Sequence, residues 1–360
     1  MNFKNINIEK HIIYISIVLL IFSSCTKSES NITTFSTSLK AGNRIFEDPN
    51  WYSWGVAPIY GDDGKVHALV CRWPSETGMK GWLSNSEIAH AVADKPEGPY
   101  EITGTIIGLK NDNDWDYVAY NPNIHKIGDE YIMVYSGRKK DDVDKIAQQI
   151  GMAFADSPNG PWIKKTTKPI IPYSGISGTW NSRHASNPSL VASPDGKFRI
   201  YYKGISDNEV PELRTIGVAI SDNIEGPYID YPENPVISYI EQKGDVEDPY
   251  AFYYDGKYFI IVEDRMGVAR QGTQSVEPEN QEAEAGGVRP GLIYTSKDGF
   301  NWGEPQIGYQ TNDIYFDESR ERFERPQILW KDGKPDYLFL ALKGGKYKTS
   351  SNAILKIEDW

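Results

Sequence analysis

An all-β fold, a five-bladed β-propeller, is what this chain of 360 residues predicts, and three observations predict it. A block recurs five times, running from a residue followed by Pro, through about six residues and a Gly-containing turn, into a strand that ends on Arg or Lys. The copies are Ala57-Pro58…Gly64…Arg72, Asn121-Pro122…Gly128…Arg138, Asn187-Pro188…Gly196…Lys203, Asp248-Pro249…Gly256…Arg265 and Arg325-Pro326…Gly333…Lys343. Each copy carries a short apolar and aromatic strand: Val66 to Cys71, Tyr131 to Tyr135, Phe198 to Tyr202, Tyr258 to Val262 and Tyr337 to Leu342. A second phrase follows the first four copies, from Ile88 to Gly98-Pro99-Tyr100, Ile150 to Gly160-Pro161-Trp162, Ile216 to Gly226-Pro227-Tyr228 and, more loosely, Leu292 to Trp302. Its Gly-Pro pair marks the hairpin into an outer strand. Repeats of this length and content stack as blades about one axis, so function is expected on that axis.

Before the first copy, residues 1–24 form a separate unit. A short basic start (Lys4, Lys10) leads into the apolar run Ile12 to Phe22 and then Ser23-Ser24-Cys25. A run of about a dozen apolar residues suits a signal peptide, whereas a membrane span needs about 20. The small residues before Cys25 resemble a bacterial lipobox, so cleavage would leave Cys25 as a lipidated first residue, with an ordinary secretory signal as the alternative. Residues 25–40, polar and rich in Ser and Thr, are expected as a tether, and residues 41–360 as one propeller domain. A lipid anchor in the outer membrane follows, at the cell surface or on the periplasmic face.

The fifth copy lacks the second phrase and ends in Ala353 to Trp360, so its outer strand is expected from the segment before Trp51. Ring closure by both chain ends removes exposed sheet edges. With Cys25 lipidated, Cys71 is the only other cysteine, which excludes an internal disulfide and a Cys-based metal site. A net charge of −12 argues against a nucleic-acid partner. The 10 Trp and 23 Tyr fill blade interfaces and also stack on sugar rings.

In an up-and-down blade the start of strand one and the end of strand two share an edge. The residues before each Pro and the basic ends Arg72, Arg138, Lys203, Arg265 and Lys343 are therefore expected on one rim. Period-two alternation groups Asn121 with Asn123 and His125, Asn187 with Ser189, Asp248 with Tyr250, and Arg325 with Gln327. It also implies that only one of the adjacent Glu247 and Asp248 faces the axis. Satisfying loop backbone around a water-filled axis is the alternative role for these polar groups.

At Asp248-Pro249, Asn121-Pro122, Glu324-Arg325-Pro326-Gln327 and the repeated Gly-Pro-Tyr hairpins, the chain resembles the five-bladed propeller glycoside hydrolases, family 43 above all, with a similarity to family 117. The resemblance spans residues 45 to 360. It implies an acid and a base on inner strands around a deep pocket, acting on chain ends or short side chains, without a required cofactor. A structural calcium or other ion on the axis is compatible with it. In family 43 an Asp before the first-blade Pro serves as general base; Ala57 is read in that place here, so the usual set does not carry over.

Hydrolysis needs two positioned carboxyl groups, about 5 Å apart for retention and roughly 6.5 to 9.5 Å for inversion. Asp248 and Glu324 are the catalytic candidates, with His125 and His184 as titratable partners. A structural ion pair is the alternative for Glu324. His67 and His90 look like packing residues. The substrate-binding candidates are Arg72, Asn121, Asn123, Arg138, Asn187, Lys203, Tyr250, Arg265 and Arg325, with no metal ligand. Basic ends in an acidic chain favour oligosaccharides from uronate-containing or sulfated polysaccharides. An exo-acting glycoside hydrolase is the first expectation. The alternatives are elimination that forms an unsaturated uronic acid at the non-reducing end, by a lyase or dehydratase, and glycan binding without catalysis. The insertion Gly267 to Pro290 is expected as a lid carrying Arg270 and Arg289. A monomer is expected.

Overall fold

The computed structural model describes residues 34–108, 111–140, 147–208, 212–265, 290–310, 315 and 323–360. Cys25, the signal segment, Arg270 and Arg289 lie outside the described residues. The described chain opens with a short helix, α1 (Thr34–Ser38), and strand β1 (Leu39–Ile45). Phe35 and Leu39 are buried in the core, so the ordered fold begins within the stretch read as a tether.

Five antiparallel sheets follow. The first comprises β2 (Trp51–Tyr60), β3 (Val66–Pro74), β4 (Glu87–Ala93) and β5 (Glu101–Ile107). The second has β6 (Val118–Ile127), β7 (Glu130–Arg138) and β8 (Gln149–Ala155), with two isolated bridges, Ile150 to Ile171 and Phe154 to Ile163, where the outer strand would stand. The third contains β9 (His184–Ala192), β10 (Phe198–Ile205), β11 (Arg214–Ser221) and β12 (Ile229–Asp230). The fourth is built from β13 (Val246–Tyr254), β14 (Lys257–Asp264), β15 (Gly291–Ser296) and β16 (Gln306–Tyr309). In the fifth, β17 (Phe323–Lys331), β18 (Lys334–Lys343) and β19 (Ser350–Ile357) receive β1 as the outer strand, in the register Leu39 to Ile357 and Ile45 to Asn352. The two ends of the propeller thus close the ring as expected, and β17 packs against β2 to complete it.

The core lies in the seams between blades. Tyr201, Val246, Ile260 and Val262 fill the seam between blades three and four; Ile132, Val134, Leu190 and Tyr202 fill that between two and three. Strands covered on both faces read as near-continuous apolar runs. His67 and His90 belong to this buried fabric: their rings meet at 2.9 Å, with Asp63 and Thr103 closing the chain at either end.

Each inner strand carries an irregularity near its axial end. The pairing slips between Trp54 and Val56, Tyr120 and Asn123, Glu247 and Tyr250, Glu324 and Gln327, and opposite Asn187-Pro188. At each slip one residue takes a left-handed backbone: Gly55 (φ 49°), Asn121 (53°), Asn187 (55°), Asp248 (61°) and Arg325 (57°). These are β-bulges, and they re-aim side chains. Two sequence-based readings change as a result. The first-blade equivalent of Asn121 is Gly55, two residues before Ala57, because register and backbone define the place and the Pro at 58 does not. Strict alternation also fails at the bulge, so Glu247 and Asp248 both turn toward the axis.

Candidate functional site

The five bulge residues meet around the axis at a constriction of about 10 Å³, lined by Gly55, by Asn121, Asn187, Asp248 and Arg325 with the prolines that follow these four, and by Gln327. Gly55 faces the Arg325 side chain across the axis. Its positive φ suits glycine, and a Cβ there would touch Arg325 Cγ at 3.5 Å and Asn121 Oδ1 at 3.6 Å. Arg325 thus crosses the axis over Gly55 and pairs with Asp248, Nη1 to Oδ1 at 2.8 Å, while its backbone N–H donates to Oδ2 at 3.2 Å. Asn187 Nδ2 donates to Asp248 Oδ1 at 2.8 Å.

The amides of this ring are linked to a proton. Asn121 places a terminal atom 2.8 Å from Asn187 Oδ1 and 2.9 Å from Arg325 Nη1. If that atom is the oxygen it accepts from Arg325, but Asn187 must then turn its own oxygen toward Asp248. In that orientation Asp248 must carry a hydrogen to face the Asn187 oxygen, whereas with Asn121 Nδ2 donating to Asn187 Oδ1 and Asn187 Nδ2 to Asp248 Oδ1 no acceptor faces an acceptor. Burial pushes the Asp248 carboxyl up to about 7, with Arg325 opposing and Glu247 and Glu324 reinforcing the rise.

Above the constriction opens a pocket of about 310 Å³. Its floor is set by the residues one step before the bulges: Trp54, Tyr120, Glu247 and Glu324 all line it. Trp73, Met79 and Trp82 add an apolar wall, Trp82 meeting Tyr120 edge-on with centroids 5.5 Å apart. Trp73 is anchored by its indole N–H to Gly78 O at 3.0 Å and by stacking on Tyr52.

The opposite side is a charged cage. Glu247, only 6% exposed, accepts from Lys203 Nζ at 2.6 Å and Arg265 Nη1 at 2.7 Å, with Arg214 Nε at 3.2 Å. Burial opposes ionisation of Glu247, but Lys203, Arg214 and Arg265 outweigh it and hold the carboxyl well below its ordinary range. Lys203 moves down as well, because burial and the nearby Arg214 and Arg325 outweigh its one carboxylate. Asp245 adds a second carboxylate for Arg214 and Arg265, at 2.5 and 3.6 Å.

Carboxylate oxygens of Asp248, Glu263 and Glu324, all buried, lie within 4.8 Å of one another. Oxygen donors suit a hard cation such as calcium. Asp248, however, is already bonded by Arg325 and Asn187, donors that a coordinated ion would displace, so this cluster fits a shared proton better than the ion implied by resemblance.

Of the expected residues, Asn121, His184, Lys203, Arg265, Glu324 and Arg325 line the pocket together, and Asp248 and Asn187 lie just beneath at the constriction. His184 is 3% exposed and neither ring nitrogen has a hydrogen-bond partner; burial first, then Lys203, Arg183 and Arg214, push it down to about 2, so it stays neutral. His125 does not line the pocket. It bonds Asn123 Oδ1 at 2.8 Å and is pushed to about 4 by burial, while Asn123 bridges to Gln327 at 2.9 Å below the ring. Tyr250 packs in the seam between blades four and five, its hydroxyl accepting from Trp330 at 2.8 Å.

The five basic ends do not share one rim position. Arg72 turns outward onto Trp51 and pairs with Glu87 at 2.8 Å, and Lys343 is exposed. Lys203 stands directly opposite Ser186, two residues deeper in its blade than Arg138 and Arg265 in theirs. Arg138 is fully buried and outside the pocket lining. Sequence reasoning missed Gln148, Glu212, Arg214, Trp73 and Trp82 as pocket residues. No repeated motif marked them, since they come from blade connections and from the ends of β3 and β11.

No known protein-family profile matches the chain, and no curated protein matches it. Solved structures do match in fold. They include Zg3597, a family 117 glycoside hydrolase from the marine bacterium Zobellia galactanivorans, at TM-score 0.64 and 16% identity, covering 89% of this chain and 91% of that one. CoXyl43, a family 43 β-xylosidase/α-arabinofuranosidase from a compost microbial metagenome solved with xylotriose, matches at TM-score 0.58 and 15% identity, over 88% and 94%. A family 43 enzyme from Xanthomonas citri matches at 0.54 and 12%, over 87% and 90%. The chain is a five-bladed propeller with structural neighbours among the glycoside hydrolases of families 117 and 43. At these identities the likeness is one of fold.

Proposed function

We propose that this protein is a glycoside hydrolase that removes a sugar from the end of an oligosaccharide derived from acidic polysaccharide. The observation that carries the reading is the axial pocket, in which two carboxylates, Glu247 and Glu324, face a wall of Trp54, Trp73, Trp82 and Tyr120. About 310 Å³ is at the small end of ligand sites, which suits a terminal sugar held against aromatic faces. The glycosidases of known structure that share the fold make this chemistry the first to test.

The first-blade base is absent, since its place is Gly55. The two carboxyl roles therefore fall to blades four and five. Glu247, kept ionised by three cations, stabilises the oxocarbenium-like transition state. Glu324 delivers the proton to the leaving oxygen and then takes one from the attacking water, with an oxygen of Asp248, which holds a proton near neutral pH, within 4.8 Å. No cofactor is needed for this chemistry. Lipidation of Cys25, outer-membrane anchoring and a monomeric state complete the proposal, with the oligosaccharide as partner.

The test is mass spectrometry of products from a panel of plant and algal oligosaccharides. Release of a saturated sugar with the mass of one added water supports hydrolysis. Unsaturated ends, seen as new ultraviolet absorbance, would sink it in favour of elimination. Silence across the panel together with sugar binding would instead identify a glycan-binding protein.

A further inference from the structure

The pocket cations are committed. Lys203, Arg214 and Arg265 share Glu247 and Asp245, and Arg325 holds Asp248. An anionic sugar gains little from guanidinium groups already neutralised by buried carboxylates. Arg138 differs. It has no accessible surface, and among the described residues none of its three guanidinium nitrogens has a hydrogen-bond partner. A buried charge is ordinarily paired, and each orphaned polar group in a folded protein calls for an explanation.

Its neighbours point to the explanation. Arg138 pairs with Val118, and Ser136 with Tyr120, so Arg138 and Tyr120 project from the same face of blade two. Tyr120 lines the pocket, which Arg138 does not reach, and feels the field of that guanidinium. The Tyr120 hydroxyl also lacks a partner, as do both nitrogens of His184 on the neighbouring blade. The Gln148 amide lines the pocket at the same blade junction. Three buried donor groups without acceptors thus gather at one wall.

We propose that this wall, centred on Arg138 with Tyr120 and His184, is the subsite that takes the anionic group of the terminal sugar, a carboxylate or a sulfate ester. The Tyr120 ring turns aside on binding, and the oxyanion accepts from the fork of Arg138, which matches two oxygens at once. The inference rests on the reading of the pocket as a sugar site and assigns its substrate class.

Calorimetric titration of the full chain tests it, using glucuronate, galacturonate, a sulfated galactose and the parent neutral sugars, against wild type, Arg138→Met, Arg138→Lys and Tyr120→Phe. Wild type should bind at least one acidic sugar about tenfold or more tightly than its neutral parent, the scale of one charge-assisted hydrogen bond. Arg138→Met should erase that margin while neutral-sugar affinity stays, and Arg138→Lys should keep part of it. The uronate and sulfate arms identify which anion is taken. If Arg138→Met fails to fold, the Lys and Tyr120→Phe variants carry the test. A margin that survives in them unchanged, or no margin in wild type, overturns the proposal. Hydrolysis of neutral chain ends without acidic preference sinks this subsite and leaves the glycosidase reading. Acidic preference without turnover does the reverse.

Discussion

Arg265 in blade four and Arg138 in blade two occupy the same place in their blades. Each stands opposite the residue two before the bulge neighbour, Asp245 in one case and Val118 in the other. In blade four the facing positions are Asp245 and Glu247, and the guanidinium is held at 2.7 Å by Glu247. In blade two they are Val118 and Tyr120, and the guanidinium meets no acceptor. One repeat position therefore serves in one blade to fix a carboxylate's charge and in the other keeps its charge unspent. The difference teaches that a repeat carries backbone geometry from blade to blade, while the chemistry at each position follows from two facing side chains.

Breaking the blade-four side should have the largest effect. Glu247→Gln or Glu324→Gln should lower kcat/KM about 10² to 10⁴-fold, measured on whichever oligosaccharide is turned over; loss of less than tenfold in both would remove these residues from the chemistry. Next comes the direct contrast in stability. Arg265→Met takes one cation from Glu247 and Asp245, which keep Lys203 and Arg214, and should cost about 1.5 to 3 kcal/mol, whereas Arg138→Met removes a buried unpaired charge and should be neutral or stabilising in the sugar-free protein. Denaturant midpoints read both, and equal losses would contradict the contrast.

A third effect concerns pH. The Asp248 carboxyl is raised in the folded state, so its protonated form is the favoured one. Its contribution is intact below the ordinary value near 3.8 and is lost as pH rises through about 7. The full loss is on the order of 4 kcal/mol. Asp248→Asn should flatten the fall in stability between about pH 4 and pH 7, the span between the ordinary and the raised value, seen by thermal melts. An equally steep fall in the variant would show that another group titrates. Smallest of all, Arg72→Ala should cost about 1 kcal/mol or less, as expected of a partly exposed pair, and should leave turnover unchanged.

Sequence periodicity alone determined the blade number, the strands, the Gly-Pro hairpins and ring closure by both ends, because strand patterning and turn chemistry are local and repeat with the chain. It also placed Asn121, Lys203, Arg265, Glu324 and Arg325 at the axis, since the repeat carries position from blade to blade. Tertiary structure decided the rest. The left-handed residues break the period of two, which brings Glu247 beside Asp248 and moves the first-blade place from Ala57 to Gly55. His125 bonds its own neighbour Asn123, a matter of side-chain direction below the ring. Trp82 and Gln148 reach the pocket from connections, and Trp73 and Arg214 from the ends of β3 and β11, with no repeat signal. Whether a cation is paired or spare depends on which side chains face it across a blade or an interblade seam, and no spacing along the chain encodes that.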